Sequence, residues 1–300
     1  MSDSLTMLQC LRAQQLFSAL FLLLSLMAKP VCAEEPTLES APIGIVGDIH
    51  RDYIAFMGSR QVTEITQYSG PYARRDVIEL VLLQQALLLG GFDKPLSLVS
   101  EVNYFRSIRN VMEGRTISTA GTVWHQDLID LSAELFITPA IIKKGQFEAG
   151  LYTTPQNTQA LASTELIDLR KLRVVTSRQW KPDRQTLINL GFERILYTPN
   201  WVNMARMLKA KRVDLTLAPF ENTPDMHILV EGIELVPIKG IKVTIAGSRH
   251  WPVSRKHPQG EAFFNALNKG ISIMEKAGTI ERAYRECGFF HPAVANWKQL

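Results

Sequence analysis

The residues of this chain best suited to chemistry are hydroxyls, indoles and carboxylates at the ends of apolar segments. Ser118, Thr119, Thr122 and Trp124 fall in one Thr-rich stretch. On a strand, Thr122 and Trp124 lie two apart and share a side. An indole there offers a flat apolar wall and one N–H donor, or it is simply core. Ser177, Trp180 and Asp183 lie in one loop between an apolar strand and a helix, and Thr198 and Asn200 lie in another. Glu221 follows a third strand. Asp183 and Asn200 each have a second reading as helix N-caps. Glu221 is open to two readings, receiver of a cationic ligand group or solvated loop charge. Donors, acceptors and flat apolar faces in this mixture suit the capture of a small polar molecule.

Other chemistries lack their patterns. The six histidines show no paired metal-ligand spacing such as H-E-x-x-H. There is no G-x-S-x-G elbow, no Cys–His pairing that suggests a nucleophile, and Gly90-Gly91 lacks the context of a phosphate loop. No metal and no cofactor are expected. The formal charge of +4 is mild and no run of like charge stands out, so nucleic acid is not an expected partner.

The elements that must position these residues alternate between strand and helix. Strand patterns fall at 43–47, 61–68, 95–102, 116–124, 149–153, 172–176, 195–197, 213–217, 233–236 and 242–246. Helical patterns run from Pro71 to a stop at Gly90-Gly91, and from Phe105 to Gly114. Others cover 184–190 and 201–209, the latter capped by Asn200, with a final pair at 260–277 and 279–287. This alternation predicts an α/β protein of mostly parallel sheet covered by helices on both faces.

The N-terminus carries an address. Arg12 precedes the apolar run Leu16 to Ala28, Pro30 breaks it, and Val31-Cys32-Ala33 places small residues where a signal peptidase cuts. The run is short of the roughly 20 residues that span a bilayer. Residues 1–33 are therefore expected to be a signal peptide cleaved after Ala33, giving a soluble periplasmic protein. Removal of Arg12, Lys29 and Asp3 leaves 31 basic against 28 acidic residues, and Cys287 as the one cysteine. A single cysteine forms no internal disulfide; Cys287, in an apolar helix end, reads as a buried thiol.

Five segments resemble one family in its own order. Phe105 to Gly114 resembles its second helix, ending at glycine before a strand. Leu135-Phe136-Ile137-Thr138-Pro139 resembles its crossover between lobes. Asp168 to Val175, Met207 to Leu215, and Phe263 through Gly270 to Ile280 resemble its later helix–strand steps and its C-terminal helix pair. The family is the type II periplasmic solute-binding proteins, in particular the amino-acid-binding family 3, in a divergent branch. The family's ligand-carboxylate arginine has no equivalent; Lys143-Lys144 occupy that region.

The resemblance implies a two-lobed fold, each lobe a mostly parallel sheet flanked by helices, with two crossovers near 138–146 and 237–243. Residues 34–142 and 241–300 would form lobe one and residues 143–240 lobe two. Ser118, Thr122 and Trp124 would then face Trp180, Asp183, Thr198, Asn200 and Glu221 across a ligand. The implied role is a monomeric binding protein for an amino acid or related molecule, working with a membrane permease or a sensor protein. Some periplasmic dehydratases resemble the same fold, and in such an enzyme Glu221 or Asp183 would be the acid/base group.

Overall fold

The computed structural model describes residues 40–300 apart from Pro224. The expected signal peptide lies outside the described residues. The chain opens with strand β1 (Ala41–Val46), helix α1 (Gly47–Met57), helix α2 (Arg75–Gly90), strand β2 (Leu96–Glu101) and helix α3 (Tyr104–Glu113). Three short strands follow, β3 (Ser118–Thr119), β4 (Val123–Trp124) and β5 (Leu135–Ile137). Next come β6 (Glu148–Thr153), helices α4 (Thr158–Ala162) and α5 (Leu166–Leu169), β7 (Arg173–Thr176), α6 (Lys181–Asn189) and β8 (Arg194–Tyr197). Helix α7 (Trp201–Lys209) leads to β9 (Leu215–Pro219), β10 (Ile228–Val230), β11 (Ile233–Pro237) and β12 (Ile241–Thr244). The chain ends with β13 (Arg249–His250), β14 (Pro252–Ser254), α8 (Gly260–Lys276), α9 (Thr279–Glu286) and β15 (Lys298–Gln299).

Two main sheets define two lobes. The first has the order β2-β1-β3-β14-β5, with β1 parallel to both neighbours and β14 antiparallel to β3 and β5. The second has the order β10-β11-β6-β9-β7-β8, with β7 parallel to β8 and β9, and β6 antiparallel to β9. Residues 138–147 and 245–248 pass between them. The second crossing comes later than the sequence suggested. Residues 241–244, expected in lobe one, form β12, which pairs antiparallel with β6 of the second sheet. Their apolar alternation is a strand signal in either lobe, so only the pairing decides their place.

Two expected strands are something else. Residues 61–68 form a 3-10 turn (Val62–Glu64) and irregular chain. Glu64 accepts from the Gln61 N–H at 2.6 Å, and Gln85 donates to the carbonyls of Val62 and Ile65 at 2.9 and 2.8 Å. The buried residues Ile65 and Tyr68 are three apart, the spacing of a turn and not of a strand, and a side chain from α2 satisfies the backbone in place of a partner strand. The single strand expected over 116–124 is broken into β3 and β4, which join different ladders. Thr122 lies in the break, where its N–H donates to Glu79 at 2.7 Å.

Helix α2 is buried on nearly every face and packs against α8. Their backbones touch: a Cβ on Gly270 would lie 1.7 Å from the Ala86 carbonyl oxygen, and one on Gly90 1.9 Å from that of Ala266. After α9 the tail leaves the first lobe. Strand β15 pairs with β12, and Trp297 stands edge-on to Phe220 at 5.5 Å, so the last residues lie along the second sheet. Cys287 is buried, and burial pushes its thiol up to about 12.

Candidate ligand-binding site

A cavity of about 250 Å³ lies between the lobes. Its first wall begins at the start of α2, where Arg74-Arg75-Asp76 precede the apolar run Val77 to Leu83. That run is broken by one acid, Glu79, which is fully buried. Arg74 meets Asp48 and Asp52 at 2.8 Å and Asp76 at 3.3 Å. Burial opposes its charge, but Asp76, Asp48 and Asp52 together outweigh burial and raise its pKa. Arg75 meets Asp76 at 2.6 Å and Glu79 at 3.0 Å. The Asp76 carboxyl resists burial because Arg75, Arg74 and Arg249 hold its pKa below the usual range.

Glu79 is the hub of this wall. Besides Arg75 it accepts from the Thr122 N–H at 2.7 Å, the Thr122 hydroxyl at 2.8 Å and the Tyr284 hydroxyl at 3.1 Å. The Thr122 hydroxyl in turn accepts from Arg249 Nε at 2.9 Å, and Arg249 Nη2 donates to the Thr122 carbonyl. Arg249 stands over the Trp124 ring at 4.8 Å. Its pKa is lowered, first by burial and then by the charge of Arg75. Tyr104 donates to Asp127 at 3.0 Å and accepts from the Trp124 N–H at 3.0 Å. Across the gap, Lys181 of α6 reaches the same Asp127 at 3.3 Å, an ion pair that joins the lobes.

The second wall is made of strand-to-helix loops. Trp180 is the N-cap residue of α6, and Asp183 sits in that helix's first turn. Glu221 follows β9 beside the buried Phe220. Neither carboxylate has a hydrogen bond to another side chain or an ion pair among the described residues. Burial pushes Asp183 up to about 6, against the opposing charges of Arg249 and Arg75. Burial pushes Glu221 up to about 7, with Arg74 opposing. A carboxyl near neutrality can hold or give a proton at working pH.

Of the residues singled out in the sequence, Trp124, Trp180, Asp183, Asn200 and Glu221 line the cavity. Trp124 is both wall and core, since it is 3% exposed and packs on Phe147 with ring centroids 4.9 Å apart. Asn200 also caps α7, accepting from the Asn203 N–H at 2.9 Å. Ser118, Thr119, Thr122, Ser177 and Thr198 do not line it. The Ser118 hydroxyl is buried and donates to the Pro252 carbonyl at 2.8 Å. Thr122 is buried with its hydroxyl engaged by Glu79 and Arg249, because the chain breaks there and no strand alternation turns it outward. Thr198 donates its N–H to the Thr176 carbonyl at 3.1 Å and stands off the cavity.

Sequence reading missed Arg74, Arg75, Asp76, Glu79, Tyr104 and Arg249. A signal existed for the first four: a lone acid inside an apolar helical run, four residues after an arginine, marks a buried pair. Nothing near Arg249 in the chain announces its role, since its partner Thr122 is 127 residues away. Lys143, in the region of the family's arginine, is exposed and pairs with Glu275 at 2.7 Å. Among the described residues, no cluster of three or more His, Cys, Asp or Glu could hold a metal ion.

With this geometry the protein has the two-lobed type II periplasmic-binding-protein fold. Similar solved structures include an amino acid ABC transporter substrate-binding protein from Streptococcus pneumoniae bound to L-arginine. It has a TM-score of 0.54 and 10% identity, covering 87% of this chain and 96% of that one. The GluR0 ligand-binding core in complex with L-glutamate has a TM-score of 0.53 and 13% identity, covering 83% of this chain and 98% of that one. The periplasmic VFT2 domain of Bordetella pertussis BvgS has a TM-score of 0.52 and 9% identity, covering 82% and 93%. No protein-family model matches the chain, and no curated protein matches its sequence. At these identities the likeness is one of fold, and the ligand must be argued from the site.

Proposed function

We propose that this protein is an extracytoplasmic solute-binding protein that closes two lobes on a small polar molecule, an amino acid or a relative of one. The observation that carries the reading is the cavity itself. One wall is a neutralised lattice of arginines and carboxylates, and the other offers unpaired carboxylates and aromatic faces. A ligand touching both walls favours the closed arrangement, because only there does it gain both sets of contacts. Trp124, Trp180, Asp183, Asn200 and Glu221 are its contacts in this reading. No helix among the described residues is long and apolar enough to cross a membrane. Export by the N-terminal segment, with cleavage after Ala33, completes the proposal; N-terminal sequencing of protein recovered from the periplasm should begin at Glu34.

The similar structures bound to L-glutamate and to L-arginine hold ligands of opposite charge, so they do not choose one for this chain. They also divide between a transporter component and the BvgS domain, and a permease or a membrane sensor remains the proposed partner. Thermal-shift screening of the protein with amino acids, polyamines and small carboxylates tests the binding reading. A ligand at 100 times its Kd adds about 2.7 kcal/mol of stability. A broad library that produces no shift would overturn the reading. The enzyme alternative on this fold would use Glu221 or Asp183 as acid/base group. Prephenate or arogenate turnover lost in Glu221→Gln would favour it; no turnover removes it.

A further inference from the structure

The charge pattern of the cleft narrows the ligand further, on the reading that the cleft is a binding site. Arg74, Arg75 and Arg249 line it, against Asp48, Asp76, Asp183 and Glu221. Three cations against four anions leave one negative charge in excess, and its location matters more than its size. Asp48 and Asp76 are held by Arg74 at 2.8 and 3.3 Å. Asp183 and Glu221 are not held by any cation within ion-pair distance among the described residues. The groups that face Asp183 are Arg249, Arg75 and Asp127, and Lys181 on its own helix is engaged by Asp127. Those that face Glu221 are Arg74, Asp76 and Asp52. Half-buried carboxylates without a counter-ion bear part of the desolvation cost, and a cation from the ligand would relieve that cost. Trp180, Trp201 and Phe220 beside them offer ring faces of the kind that attract cations.

The first wall keeps a smaller opportunity of opposite sign. Arg75 is nine-tenths buried and lines the cavity, and its Nε has no hydrogen-bond partner among the described residues. Arg249 commits Nε and Nη2 to Thr122. The other two guanidinium nitrogens of Arg75 are taken by Glu79 and Asp76, which leaves room for one anionic group beside Arg75 Nε and Arg249.

We infer that the cleft selects a small ligand of net positive charge, its ammonium or guanidinium groups set against Asp183 and Glu221 and its carboxylate, where it has one, against Arg249 and Arg75. A basic amino acid and an aliphatic diamine share this chemistry and differ in the carboxylate. A dianionic ligand would leave both carboxylates of the second wall facing like charge.

L-lysine and cadaverine differ only by that carboxylate, so titration calorimetry at pH 8 with these two, L-glutamine and L-glutamate reads both questions. The expected result is binding of L-lysine or cadaverine about tenfold or more tighter than L-glutamine, with L-glutamate weakest, since each tenfold step is a modest free-energy difference. L-lysine ahead of cadaverine assigns the carboxylate to the arginines; cadaverine ahead assigns the site to diamines. Asp183→Asn and Glu221→Gln should each weaken the favoured cation about tenfold or more. Both changes are near-isosteric, and thermal melting verifies that the variants fold. As a second measurement, affinity should fall as pH drops from 8 to 6, with proton release on binding, because only the ionised pair attracts the cation.

L-glutamine or L-glutamate binding tightest, or a neutral or anionic compound proving the best ligand in the wider screen, would overturn this inference and leave the binding reading intact. An affinity for the cation unchanged in both variants would also overturn it. A complete lack of binding across the library would sink both.

Discussion

The two walls of the cleft are built of the same residue types and differ in whether those residues are satisfied. On the first wall Glu79 makes four contacts, Arg74 three and Arg75 two, and the partners come from α1, α2, the β3–β4 break and α9. Four segments are cross-tied by one buried network, which makes this wall a scaffold. On the second wall Asp183 and Glu221 stand on loop ends with no such ties. A satisfied network rigidifies, whereas a desolvated group left without a partner is poised to respond to what arrives. Lobe one therefore holds shape and lobe two supplies unmet charge.

The comparison breaks most easily at its hub. Glu79→Ala should cost about 3–5 kcal/mol, because Arg75 and the Thr122–Arg249 unit are then left buried without their anion. Chemical denaturation measures it. A loss under about 1 kcal/mol would mean that the first wall is not a scaffold. The next effect concerns support of the second wall from behind. Trp297→Ala removes a half-buried ring from the edge of Phe220, and the melting experiment should show a loss of about 1–2 kcal/mol.

The pair Asp183→Asn and Glu221→Gln should leave stability at pH 8 unchanged or slightly higher, in contrast to Glu79→Ala. Its sharper signature is pH dependence. Both carboxyls have folded-state pKa values above their ordinary ones, about 6 and about 7 against 3.8 and 4.5. Protonation therefore favours the fold. That contribution is full below the ordinary values and is lost as pH rises through 6 and 7. Relative to the double variant, the parent protein should lose stability between about pH 4 and pH 7; parallel pH curves would count against the raised values.

The smallest effect is expected at the bridge between the lobes. Lys181 is half exposed but Asp127 is buried, with its other oxygen held by Tyr104, so losing the exposed partner should cost about 1 kcal/mol. Lys181→Ala should lower the melting temperature by about 2–4 °C. It should speed opening of the cleft, visible as a faster ligand off-rate.

Much of the architecture was legible because its signals are local. Asn200 with Trp201 to Lys209 reads as a capped helix, and α7 has those bounds. Gly114 after the amphipathic run at 105–112 reads as a stop, and it adopts the left-handed C-cap. Residues 61–68 misled because their β-branched residues suggested a period of two, whereas the side chains that turn inward fall every third residue and the backbone is satisfied by Gln85 and not by a partner strand. Half of the cleft was legible for a similar reason. Residues at the carboxyl ends of strands face a cleft in this kind of sheet; Trp180, Asp183 and Asn200 sit where a strand passes into a helix, and Glu221 follows a strand.

What the chain by itself determined is the order of its elements, their caps and stops, and the loop positions from which side chains can reach a ligand. Each depends on neighbours a few residues away. What tertiary structure decided is the charge state of the cleft. Arg249 finds Thr122 and Glu79 finds Tyr284 across 127 and 205 residues. Whether a carboxylate is neutralised or left waiting depends on which distant side chain folding brings within about 3 Å of it, since a charge pair desolvated at that distance interacts far more strongly than one in water.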